Sequence, residues 1–313
     1  MQITQPIFFE PLFMERVWGG RSLETVFGKK LPVGARIGES WEIVDREEAQ
    51  SVVHNGPLRG KTLHDLWTEY RAQIFGKNAL ASPRFPLLFK LLDAQERLSV
   101  QVHPPATVAG ELGGEPKTEM WYVAATSTGS DIFAGLKRGV VRADFEEALK
   151  NGSVEKKIHR LPTKPGDAIF IPSGRIHAIG AGNVIVEVQQ NSDTTYRVFD
   201  WNRTGLDGKP RELHIAESIK SADFDDIEPA LAQPRGETVV ECEYFRVEKW
   251  TLEKPRAAFD GDGFAIFTVL TGEVASGGAQ FRAGDFFLVP AVLADRELAP
   301  VNGSATLLRT TIP

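Results

Sequence analysis

An antiparallel β-sandwich or barrel is the fold class predicted by this 313-residue sequence. Two observations predict it. Short runs rich in β-branched and aromatic residues recur along the chain, each bounded by Gly, Pro, Asn, Ser or Asp. One segment also occurs twice: "KPGDAIFIPSGRIHAIG" (164–180) is echoed by "RAGDFFLVPAVLADREL" (282–298), both running Gly-Asp, apolar strand, proline. The chain is long enough for a large core and two domains.

The strand signals come in order as "SWEIV" (40–44), "RLSVQVH" (97–103), "MWYVAA" (120–125), "DAIFIP" (167–172), "NVIVEVQQ" (183–190) and "YRVFDW" (196–201). Three helices are expected. "KTLHDLWTEYRAQIFG" has Thr62 as N-cap, Asp65 three residues on, an apolar face of Leu63, Leu66, Trp67, Tyr70 and Ile74, and Gly76 to close it. "RADFEEALKNG" (142–152) and "LHIAESIKSA" (213–222) are the others. Near residue 230 the acidic, Pro/Gly-punctuated "DDIEPALAQPRGE" reads as a linker, dividing the chain into 1–230 and 231–313. Strand signals then resume in "VVECEYFRVEKWTL", "GFAIFTVLTGEV", "DFFLVP" and "ATLLRT".

A net charge of −6 argues against a nucleic-acid or anionic-membrane surface. The first residues lack a basic stretch before an apolar one, so no secretory signal is expected, and no apolar run approaches a membrane span. The single cysteine, Cys242, excludes a disulfide framework and is read as a small buried hydrophobe. A reducing, cytoplasmic setting fits it.

Of six histidines, His54, His64, His159 and His214 read as exposed or satisfied side chains. His103 and His177 differ. In "SVQVHPP" Gln101 and His103 share one strand face, and an apolar interior takes them only if their polar atoms find partners. In "EPKTEMWYV" Lys117 and Glu119 share a face as the chain enters an aromatic strand. His177 follows the Gly-Asp turn, and the second copy of the repeat has Asp295 at its position, so the barrel turn persists without the histidine. Gln101, His103, Glu119 and His177 thus form a two-nitrogen, two-oxygen set suited to Zn²⁺ as a Lewis acid, and one that could also hold Fe²⁺, Mn²⁺ or Ni²⁺. Arg197 stands on an apolar strand, pointing outward or into a pocket mouth where a guanidinium holds phosphate or an oxyanion. Lys90, in "PLLFKLLDA", is one charge in a very apolar run and needs a partner or a ligand.

At these residues the sequence resembles type I mannose-6-phosphate isomerases in their shorter bacterial form. The motifs are "GESWEI", "PLLFKLLDA", "LSVQVHP", "PKTEMWYV", "GDAIFIPSGRIHAI" and "NSDTTYRVFDW", covering the first two thirds of the chain. The resemblance implies a mainly β fold of two cupin-type jelly-roll domains with a few short flanking helices. The active site would lie in the N-terminal one, and the C-terminal one would lack metal ligands. It implies one Zn²⁺ per chain on Gln101, His103, Glu119 and His177, and a catalytic arginine at Arg197. Longer family members carry a helical insertion that the stretch between Glu119 and His177 cannot hold, which leaves one wall of the substrate pocket undefined.

Moving a proton between C1 and C2 of a sugar phosphate needs a general acid–base and a counter-charge for the developing enediol. Lys117 is the first candidate for handling that proton or orienting substrate, with a metal-bound water as competitor. Arg197, Lys90 and Lys117 are the cations available to the phosphate, and Ser99 shares strand parity with Gln101 and His103. Two other readings are a metal-dependent cupin dioxygenase and a non-catalytic sugar-sensing cupin. The oligomeric state is not legible.

Overall fold

In the computed structural model, which describes residues 3–313, the β-branched runs pair as antiparallel strands in three large sheets. Six strands form the first, in the order Ala168–Ile171, Glu119–Thr126, Asn183–Gln190, Leu87–Ala94, Ile37–Ile43 and Leu12–Gly20. Five form the second: Ile158–Pro162, Asp131–Leu136, His177–Ile179, Val100–Val102 and Tyr196–Phe199. The third runs Ile7–Phe8, Phe286–Val289, Ala265–Ser276, Glu297–Thr311, Arg246–Leu252 and Thr238–Glu241, with two short strands paired alongside.

Alternation within each strand decides what lies between the sheets. Trp18, Leu92, Trp121, Ile169 and Ile185 of the six-stranded sheet meet Ile132, Ala134 and Ile179 of the five-stranded one in a single apolar cluster, the filling of a jelly roll. The other face of the six-stranded sheet presents Phe89, Leu91, Met120, Val186 and Val188. It packs on Leu66, Trp67 and Phe75 and on Val247, Ile266 and Leu308 of the third sheet, so one core runs through both halves. On the outside of the five-stranded sheet, Val100, Val102 and Phe133 bury Phe145 and Ala148 of the helix Arg142–Asn151.

The repeat seen in the sequence is a repeat of turn geometry. Gly166 and Gly284 take left-handed φ of 94° and 88°, which an L side chain resists. The following aspartates close both turns: Asp167 accepts from Lys164 N–H at 2.9 Å and Asp285 from Arg282 N–H at 2.8 Å.

Thr62 caps its helix as expected, accepting from Asp65 N–H at 3.0 Å while Asp65 accepts from Thr62 N–H at 2.8 Å. The expected single helix is two, Leu63–Glu69 and Arg71–Phe75. Tyr70 leaves helical geometry at φ −120°, and Arg71 Nε donates to the Trp67 carbonyl at 2.9 Å, an acceptor that an unbroken helix would use itself. "VVECEYFRVEKWTL" is likewise two strands, Thr238–Glu241 and Arg246–Leu252, turning through Cys242 and Phe245. Among the strands that escaped the sequence reading are Leu12–Gly20, Leu87–Ala94, Asp131–Leu136 and Ile158–Pro162. Leu87–Ala94 is buried along its whole length, so it shows no alternation. Among the described residues, no helix is long and apolar enough to cross a membrane.

Candidate active site

Strand register assembles the site. His177 is the cross-strand partner of Gln101, and Gln101 is also the partner of Arg197. Directly paired residues project to the same face, so these three side chains stand side by side on the five-stranded sheet. On the six-stranded sheet the register runs Trp41, Lys90, Glu187, Trp121, a polar–aromatic row on one face.

His103, Glu119 and His177 are fully buried, and their ligand-type atoms all lie within 4.8 Å of one another. Each imidazole spends Nδ1–H on a backbone carbonyl: His103 on Thr194 and His177 on Arg175, both at 2.8 Å. This fixes the tautomer and turns the Nε2 lone pairs inward. Nε2 of His103 lies 3.5 Å from Glu119 Oε2, and Nε2 of His177 lies 3.6 Å from Glu119 Oε1. Neither Glu119 oxygen, nor His177 Nε2, has a hydrogen-bond partner of good geometry among the described residues. Buried polar atoms left so are costly unless a ligand satisfies them. Burial pushes both imidazoles down, His177 to about 3, with the neighbouring His103 adding to the effect. Burial would raise Glu119, but Lys117 and His103 outweigh it and hold the carboxyl well below its usual range. Two neutral imidazoles and one carboxylate are the protonation states a divalent cation requires, and the donor set fits one.

Lys117 links this cluster to a cavity of about 300 Å³. Its Nζ lies 2.9 Å from Glu119 Oε2 and 3.3 Å from His103 Nε2. Burial alone would lower its pKa, but Glu119 and Glu187 raise it above the ordinary lysine value. Lys90, Ser99, Gln101 and Arg197 also line the cavity, so every site residue read from the sequence lies in the cluster or on the cavity wall. Lys90 has the partners its burial demands: Glu39 at 3.8 Å, Glu187 at 3.7 Å, and the Trp41 ring at 4.7 Å.

The sequence reading missed Arg16, Trp18, Glu39, Glu187 and Arg211, which share the lining. Glu187 gave the same signal as Lys90, a charge in an apolar strand. It accepts from Trp121 Nε1–H at 2.9 Å, and burial followed by the Glu119 charge pushes its pKa up to about 7. Glu39 accepts from both Arg16 and Trp41; burial opposes its charge, but Lys90 and Arg16 prevail and bring it down to about 2. Arg16 and Trp18 from one edge strand, with Arg211 from the loop beyond Tyr196–Phe199, make the pocket wall that the sequence left undefined.

The remaining histidines are satisfied or peripheral. His54 pairs with Glu10 and His64 with Asp45. His214 accepts from Arg197 N–H at 3.1 Å and so steadies that strand. Cys242 is half-buried, and burial pushes its thiol up, which suits packing rather than nucleophilic attack.

A family model described as "Phosphomannose isomerase type I, catalytic domain" matches residues 7–114. The mannose-6-phosphate isomerase ManA of Bacillus subtilis (strain 168) is 38% identical over 315 residues, covering 94% of this chain and 96% of that protein. A mannose-6-phosphate isomerase of Streptococcus mutans is 35% identical, covering 92% and 93%. The crystal structure of the mannose 6-phosphate isomerase from Bacillus subtilis superposes with a TM-score of 0.87 at 35% identity, covering 98% of this chain and 100% of that one.

Proposed function

The chain belongs to the type I mannose-6-phosphate isomerase family, and from that premise we propose that it interconverts mannose 6-phosphate and fructose 6-phosphate through a cis-enediol. The observation that carries the reading is the convergence of His103, Glu119 and His177 beside a cavity rich in cations. These three residues, with Gln101 as a fourth, would hold one Zn²⁺ per chain. When bound, the ion supplies a Lewis acid for the sugar oxygens at C1 and C2.

The chain's own residues divide the remaining work. Lys117, held as a cation, orients the substrate and balances charge that develops at the enediol oxygens. Glu187, with its pKa near neutrality, is the lining carboxylate best matched to moving a proton between C1 and C2. Lys90 and Ser99 bind the sugar, and Arg197 holds a developing oxyanion or the phosphate. Trp18, buried and lining the cavity, helps keep the enediol and its proton from bulk water. The relatives named above favour neither an oxygenase nor a sensor. The partner is a small phosphosugar; with a net charge of −6 we assign no nucleic-acid or membrane partner. The single cysteine accords with the cytoplasmic setting we assign.

The test is turnover of mannose 6-phosphate to fructose 6-phosphate before chelation, after it, and after Zn²⁺ is restored. Activity lost and regained supports site and reaction together. No turnover in a verified metal-loaded sample would sink the assignment.

A further inference from the structure

We infer that Arg211 is the phosphate-recognising residue of the pocket, acting beside Arg197 and held in position by Asp200. This rests on the isomerase reading above and adds to it the residue that selects for phosphorylated sugars.

Five cationic side chains line the cavity: Arg16, Lys90, Lys117, Arg197 and Arg211. A phosphate dianion is held by cations with uncommitted donors. Arg16 spends Nε and one Nη on Glu39 at 3.1 Å each, and its other Nη on the Glu15 carbonyl at 3.2 Å. Lys90 sits between Glu39 and Glu187, and Lys117 lies on Glu119. These three are compensated.

Arg197 has no such partner, and Arg211, though paired with Asp200, keeps one edge of its fork free. Among the described residues Arg197 has no carboxylate within ion-pair distance, and its Nε is buried with no hydrogen-bond partner. One Nη donates to the Glu212 carbonyl at 2.9 Å. Arg211 turns Nε and Nη2 onto Asp200, with Nε 2.7 Å from Oδ2, which leaves its Nη1 hydrogens free. Asp200 also serves Arg203, whose Nη2 is 2.8 Å from Oδ1 and whose Nη1 is already spent on the Arg97 carbonyl. Asp200 thus serves two guanidiniums, Arg203 and Arg211, while Arg197 nearby has no carboxylate partner among the described residues, which leaves cationic donors for a phosphate monoester.

The chain is bent deliberately to achieve this. After Asp200, Trp201 and Asn202 both take left-handed φ, 55° and 56°, which non-glycine residues rarely do. Trp201 is pinned by its indole N–H on the Leu98 carbonyl at 2.6 Å, with the Arg97 guanidinium 4.8 Å above the ring. Thr204 and Pro210 bridge across the loop, and Arg211 returns to Asp200. Asp200 is thus a positioning residue: it fixes one edge of the Arg211 fork so that the other faces the cavity.

The experiment is steady-state kinetics with mannose 6-phosphate, together with inhibition by inorganic phosphate, on metal-loaded wild type, Arg211→Gln, Arg211→Lys and Asp200→Asn. In Arg211→Gln both KM and the phosphate inhibition constant should rise about 10- to 100-fold, as expected for losing one charge-assisted contact, with kcat within about threefold. Asp200→Asn should move the same two constants in the same direction, by less, and also spare kcat. Unchanged constants in Arg211→Gln, or a fall in kcat at constant KM, would overturn the assignment. Should Arg211→Gln fail to fold, Arg211→Lys keeps the charge and loses the fork; wild-type constants in that variant overturn it equally. The two readings separate cleanly. A wild type that binds inorganic phosphate through Arg211 yet turns over no mannose 6-phosphate refutes the isomerase and leaves the subsite standing. Normal turnover with Arg211-independent phosphate binding removes the subsite alone.

Discussion

His103 and His177 each give Nδ1–H to a backbone carbonyl, and that choice of nitrogen decides what the site can hold. His177→Ala should therefore lose the metal and more than about 100-fold of activity, since even the residues that hydrogen-bond to a ligand command about 10- to 100-fold. Metal content per chain and a urea transition check it: the metal goes and the cooperative transition stays. An inactive variant that keeps stoichiometric metal would contradict the ligand role. Glu187 carries a pH prediction. Its working form is the carboxylate and burial raises its pKa, so kcat/KM should rise with pH through the titration of this group, at or below the value of about 7 that the bare Glu119 charge gives, and level off above it. Glu187→Gln should abolish that limb and cost about 10²–10⁴-fold in kcat, which a pH–rate profile reads directly. The cluster was legible because Lys117, Glu119, Gln101 and His103 obey the two-residue spacing of a strand face, and polar residues on an inner face need a purpose. Glu187 was equally legible by that rule but sits in a run that ends in polar "VQQN", which blurs the contrast. Arg211 was not legible, since only the closed loop brings it to Asp200.

Two strands that build the site were obscure in the sequence, for different reasons. Leu87–Ala94 looked like any apolar run, and Leu12–Gly20, interrupted by Glu15, Arg16 and two glycines, did not look like a strand at all. Yet Gly19 is what lets it pair. A Cβ on Gly19 would meet the Gly38 backbone nitrogen at 2.4 Å and the Ile37 carbonyl carbon at 2.6 Å, with no flexible side chain to yield. Gly19→Ala should force this edge strand away from Ile37–Ile43 and destabilise the fold by about 1–3 kcal/mol. Because the strand carries Arg16 and Trp18 into the cavity, KM should rise as well. Urea denaturation and kinetics on the same sample test both, and a variant with unchanged stability would show that the two strands can separate freely. The split of the 63–75 helix belongs to the same lesson. Its apolar periodicity continues across Tyr70, while the break comes from Arg71 competing for the Trp67 carbonyl, a contact no periodicity encodes.

The two halves of the chain share one core, so a ligand that stabilises the N-terminal jelly roll should raise the unfolding temperature of the whole. A metal at a hundred times its dissociation constant adds about 2.7 kcal/mol, a shift of several degrees. Chelation should lower the midpoint of a single calorimetric transition, and added zinc should restore it; a metal-insensitive midpoint would count against a resident ion. The acidic, proline-punctuated stretch near residue 230 precedes the strands from Thr238 onward that make up most of the third sheet, whereas the strand Ile7–Phe8 gave no hint that it would cross to that sheet and pair with Phe287 and Leu288. That crossing has a consequence for biosynthesis. At ribosomal speeds of about 5–20 residues per second, the strand waits roughly a quarter of a minute to a minute for its partner to be made. Meanwhile residues 12–199, which supply every strand of the catalytic jelly roll, have already left the ribosome. The segment can dock early on His54 and Asn55, but its place in the third sheet can be filled only once Phe287 and Leu288 exist.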